Sequence, residues 1–176
     1  MISIRTKVKL ITIVLSVTMI FNIFVTYYLI QDEKTDAQII NIAGKQRMLT
    51  QKMIGELHRM QRNKKEGEGE FLRAQGEFDR NFKRLKAGDL SVEKNEQISG
   101  ALQEVETSSK AFDRLTFSYL DNNSDPLLEQ IYIQGNKTLE LVDNTVQAYE
   151  AYATGKRDFI NQIQLVLGLF TLFVII

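Results

Sequence analysis

Residues 39–60 read IINIAGKQRMLTQKMIGELHRM. Within them Ile39, Ile42, Gln46, Leu49, Met53, Leu57 and Met60 recur at steps of three and four, and all but Gln46 are apolar. That period belongs to one face of a helix packed against other helices. The segment predicts a helix over about 31–61, followed by a glycine-bearing, highly charged turn at Lys64–Glu70 (KKEGEGE). Downstream the same spacing returns three times. Phe71, Gln75, Phe78, Phe82 and Leu85 mark a second helix, ended at Ala87-Gly88-Asp89-Leu90 with Gly88 as the stop. Ile98, Leu102, Val105, Phe112, Leu115 and Tyr119 mark a third. After the turn Asp121–Pro126, with Asp125 as N-cap and Pro126 in the first turn, a fourth carries Leu128, Tyr132, Gly135, Leu139, Val142, Val146, Tyr149 and Ala153. No stretch alternates with the period of two that a strand requires. Short turns make sequential helices antiparallel, so the expected fold is all-α, an up-down-up-down four-helix bundle over residues 31–158.

Upstream, Val8–Ile30 (VKLITIVLSVTMIFNIFVTYYLI) is an apolar run long enough to cross a bilayer, which takes roughly 20 helical residues. Tyr27 and Tyr28 stand where an interfacial aromatic belt forms, and Arg5, Lys7 and Lys9 place residues 1–7 in the cytoplasm. A cleavable signal peptide would have a shorter apolar core and a small-x-small site after it; here LIQDEKTD follows. Downstream, residues 159–176 (FINQIQLVLGLFTLFVII) are too apolar all round for a soluble bundle helix. They read as a second transmembrane helix cut short, which makes the chain the front part of a longer receptor or a truncated product. The bundle would then be continuous with both membrane helices, anchored in the inner membrane with the sensor domain periplasmic.

Composition narrows the chemistry. The 22 basic and 22 acidic residues cancel, against the net basic face that nucleic-acid binding needs. Cysteine is absent, which excludes disulfides, iron–sulfur ligation and thiol chemistry. His58 is the one histidine, so a zinc site built on several imidazoles is excluded. No nucleophile–base pair, metal-ligand cluster or phosphate loop is readable, so neither an enzyme nor a cofactor is expected.

On a wheel at about 100° per residue, Ile40, Gly44, Arg47, Gln51, Ile54 and His58 fall on the side away from the apolar seam. A solvated stripe would be rich in Glu and Lys. Gly44 costs roughly 1 kcal/mol in mid-helix relative to alanine, so close approach of another backbone is the economical explanation. A second copy across a two-fold axis supplies it. Two Arg47 guanidinium groups about 4 Å apart would repel by about 4 kcal/mol at an effective dielectric near 20. A small planar oxyanion between them reverses the sign. The plainer alternative is a surface or dimer stripe with no ligand. His58, on the same stripe, reads as a packing residue.

Asn41–Met53, NIAGKQRMLTQKM, resembles the P-box motif of the PilJ-type and nitrate/nitrite-sensor family of receptor input domains. Asn41, Ala43, Gly44, Lys45, Gln46, Arg47, Met48, Leu49, Thr50 and Gln51 match its PilJ-type form. The resemblance implies a four-helix bundle that dimerises through its first helix. It also implies, as in nitrate-sensing members, an anion (nitrate or nitrite) at the dimer interface, held by the motif arginine and nearby backbone. Carried over, the ligand residues are Arg47 and Gly44, with Lys45, Gln51 and Asn41 beside them. Nitrate-sensor kinases have a lysine directly before the Ala-Gly pair; here that residue is Ile42, and Lys45 lies on a different helical face. The expected function is thus the ligand-sensing input region of a transmembrane receptor, chemoreceptor or sensor kinase, whose ligand shifts the membrane helices for a downstream cytoplasmic module to read. The rival of another class is a ligand-free structural or adaptor membrane protein that dimerises or binds a partner protein through its bundle.

Overall fold

The computed structural model describes residues 3–87, 95–122 and 125–175. Among them are four helices and no strand: α1 (Ile4–Arg62), α2 (Lys64–Lys86), α3 (Glu96–Asn122) and α4 (Asp125–Ile175). The all-helical reading holds. The chain divides into two compact units, one of Met1–Asp36 with Ala151–Ile176, the other of Ala37–Glu150.

In the second unit the seam read from sequence on α1 is the core. Ile39, Ile42, Gln46, Leu49, Met53, Leu57 and Met60 are all buried, joined by Ala43 and Thr50. Phe71, Phe78, Phe112 and Ile131 complete the centre, with the Phe71 and Phe112 rings tilted at a centroid distance of 5.9 Å. Gln75, Leu115, Tyr132, Leu139 and Val146 are half-buried at the margins. Periodicity missed Ile131, Ala74 and the buried hydroxyls of Thr50, Thr116, Thr138 and Thr145. Each threonine donates to the carbonyl four residues back, to Gln46, Phe112, Gln134 and Leu141, which is how a hydroxyl satisfies itself inside a helix core.

Contacts fix the helix registers. Between α1 and α2, Gln46 Nε2 donates to the Phe78 carbonyl at 2.9 Å and Lys52 meets Glu70 at 2.9 Å. Between α2 and α3, Lys86 reaches Glu106 and the Lys64 ammonium donates to the Leu120 carbonyl at 2.7 Å. Between α3 and α4, the Ser108 and Thr138 hydroxyls lie 2.9 Å apart. Phe112 lies against Gly135 between the same two helices, and in each pair the residue number rises on one helix as it falls on the other.

Two turns depart from the sequence reading. KKEGEGE is not a turn: the break between α1 and α2 is Asn63, in extended conformation (φ −145°, ψ 93°), and Lys64 already begins α2. The charged stretch is helical because Gly67, buried, lets α2 lie against the α1 backbone. The α3 start, unmarked from sequence, is an N-cap: Asn95 Oδ1 accepts the N–H groups of Gln97 and Ile98 at 3.0 and 3.2 Å. Gly88, expected to stop α2, lies outside the described residues, as do Asn123, Ser124 and the Asp125 side chain.

In the first unit, α1 is long and apolar enough over an 18-residue window to cross a membrane, and none of that window is buried. Among the described residues α4 does not meet the same test.

Candidate functional site

The stripe expected to face away from the core is split in two. Gly44 and Gln51 lie roughly 160–180° from the seam and point outward, whereas Arg47, Ile54 and His58 lie roughly 100–140° away, on the flank. α4 of the same chain meets that flank. Ile54 is packed so closely on Gly135 that a Cβ there would come within 3.0 Å of Ile54 Cγ1. The His58 ring stacks on Tyr132 at 4.5 Å, and Nδ1 lies 2.8 Å from the Tyr132 hydroxyl. Burial, with a smaller contribution from Tyr119, raises the pKa of that hydroxyl. His58 is therefore a packing residue, as read from sequence, but its partner is α4.

Arg47 Nε forms an ion pair with Asp143 Oδ1 of α4 at 2.9 Å. The arginine side chain is 53% exposed and the aspartate 33%, so the pair sits at the surface. The guanidinium that sequence reading left awaiting an anion already has a carboxylate beside it. Asp143 was missed because α1 carries no acid between residues 37 and 55, and the carboxylate comes from a helix almost a hundred residues on.

The remaining expected ligand residues face outward. Asn41, Lys45 and Gln51 are exposed, and among the described residues none pairs its side chain with another. Met48 is 55% exposed between them. Around Gly44, a Cβ would meet nothing within 4 Å. Within one chain the glycine has no steric purpose. Gln46, by contrast, is a structural member of the motif: it is 2% exposed and ties α1 to the α2 backbone. Among the described residues no group of three or more potential metal ligands occurs.

The PilJ family, type IV pili methyl-accepting chemotaxis transducer N-terminal domain, matches residues 28–130, and the chain belongs to it. This domain is sensory and non-catalytic. Family and apolar α1 window together associate the chain with a membrane. Comparison with curated proteins and with solved structures gives no match.

Proposed function

We propose that this chain is the ligand-sensing input region of a chemotaxis transducer, a periplasmic up-down-up-down bundle that dimerises through α1 and binds a small oxyanion such as nitrate there. α1 and α4 continue into two membrane helices, and ligand binding displaces them for a cytoplasmic module. The observation that carries the reading is the outward motif face: Gly44 with open space where a side chain would stand, flanked by unpaired Asn41, Lys45 and Gln51 and by Arg47. A helix face with a bare backbone patch suits close approach of a second copy, and two guanidinium groups at that approach need an anion. A shift of about 1–2 Å between helices is typical of such interfaces.

One observation favours the ligand-free adaptor. The Arg47–Asp143 pair gives the guanidinium an anion of its own. Titration calorimetry of the full chain in nanodiscs with nitrate, nitrite and sulfate separates the two readings. The sensor binds one of them, and Arg47→Ala weakens it at least about tenfold, the usual loss for a hydrogen-bonded charge. By reciprocity, the ligand strengthens dimerisation. Absence of binding to all three favours the adaptor.

A further inference from the structure

We propose that Asp143 is the built-in competitor for the anion site, occupying the Arg47 guanidinium when ligand is absent and coupling ligand arrival to α4. The inference rests on the oxyanion reading above. Its basis is the 2.9 Å contact between Arg47 Nε and Asp143 Oδ1, made by a carboxylate on α4 beyond the residues matched by the family. A planar oxyanion and a carboxylate present the same pair of acceptor oxygens to a guanidinium, so each excludes the other.

The pair has the strength of a competitor that a ligand can displace. Both side chains are part-exposed, and an ion pair of this kind changes an equilibrium by up to about fivefold. A deeply buried pair would hold the arginine against any weakly binding anion. No other carboxylate on the motif stretch takes this role, since α1 has no acid from 37 to 55.

The consequence lies on α4. Along the α1–α4 seam of this unit, Ile54 packs on Gly135 and His58 stacks on Tyr132, contacts that an anion at Arg47 leaves alone. The Arg47–Asp143 contact is the one it removes. Ligand binding therefore removes one contact of the seam while these others hold, a differential contact of the kind that shifts a two-state equilibrium.

The test is nitrate and nitrite titration of the full chain in nanodiscs, wild type against Asp143→Asn and Asp143→Ala, each also combined with Arg47→Ala. Removing the competitor tightens the anion by about fivefold for one broken pair, and by up to about 25-fold if an anion on the dimer axis displaces both. Arg47→Ala abolishes the gain. Affinity in both Asp143 variants equal to or below wild type overturns the competitor while leaving the anion site standing. Binding absent from wild type and from both Asp143 variants overturns the oxyanion reading and the competitor with it.

Discussion

Asp113 on α3 keeps its carboxyl half-buried, hydrogen-bonded by Gln75 and facing Asp79 across from α2. Burial pushes its pKa up to about 6 from an ordinary 3.8, with Asp79 adding to the rise and the Gln75 hydrogen bond opposing it. Because the folded value lies above the unfolded one, the native state holds this proton more tightly. Its contribution to stability is complete below about pH 4, fades between about 4 and 6, and is absent above. With the group partly open to solvent, the swing is about 1–2 kcal/mol. Asp113→Asn carries no titrating proton there. Chemical denaturation at pH 4 and pH 7 should show the variant gaining on wild type by that amount at the higher pH. A constant difference across the range would sink the assignment. Glu106, exposed and hydrogen-bonded by Lys110 and Lys86, is lowered to about 2 and titrates outside this window. At this scale the sequence was informative about Gln46, whose place in the apolar seam required it to be buried. It was silent about Asp113 and Asp143, because a carboxylate's neighbours depend on the register between helices, which no local pattern encodes.

Register is a property of elements, and so is the turn that the sequence reading misplaced. Two glycines in KKEGEGE look alike as letters yet stand in different surroundings. At Gly67 a Cβ would lie 2.6 Å from the Met60 nitrogen, 2.7 Å from Met60 Cγ and 2.9 Å from the Glu56 carbonyl oxygen. At Gly69 it would meet nothing within 4 Å. Gly67 is what allows α2 to fold back on α1 after the single extended residue Asn63. Gly67→Ala should therefore destabilise by about 1–3 kcal/mol, the range for steric overpacking against backbone that cannot move away. Gly69→Ala should stabilise by about 0.5–1 kcal/mol through helix propensity alone. Thermal unfolding of the two variants side by side decides it; equal shifts of one sign would show that the α1–α2 approach is looser than described. The apolar seams of the helices were legible because burial imposes a period of three and four on each helix separately. The charged start of α2 was not, because its glycines resemble turn residues until the close approach to α1 is known. The α4 partners of Arg47, Ile54 and His58 were out of reach for a related reason. A wheel drawn for one helix and one seam has no second neighbour, and α4 meets the flank.

Across the molecule, the unit of Met1–Asp36 with Ala151–Ile176 joins its two chain segments by charge. The Lys156 ammonium lies 3.2 and 3.5 Å from the two Asp36 carboxylate oxygens, and the side chains are only 22% and 11% exposed. Lys156 also lies over the Tyr152 ring at 5.8 Å, and Arg157 faces Glu33 at 3.9 Å in the open. Both apolar runs were plain from sequence, yet nothing in them told which charge on α1 would meet which on α4. A buried charge that loses its partner is worse off than one that never had it, since desolvation remains and attraction does not. Asp36→Asn should cost about 2 kcal/mol, below the 3–5 of a fully buried pair because Lys156 retains some water and a further interaction of its own. Exchanging the charges, Asp36→Lys with Lys156→Asp, should recover most of that loss, whereas the Arg157–Glu33 pair, largely exposed, should cost under about 1 kcal/mol when broken. Denaturant unfolding of the full chain in nanodiscs reads all three. If the exchanged pair is no more stable than Asp36→Asn alone, Asp36 and Lys156 do not hold α1 to α4.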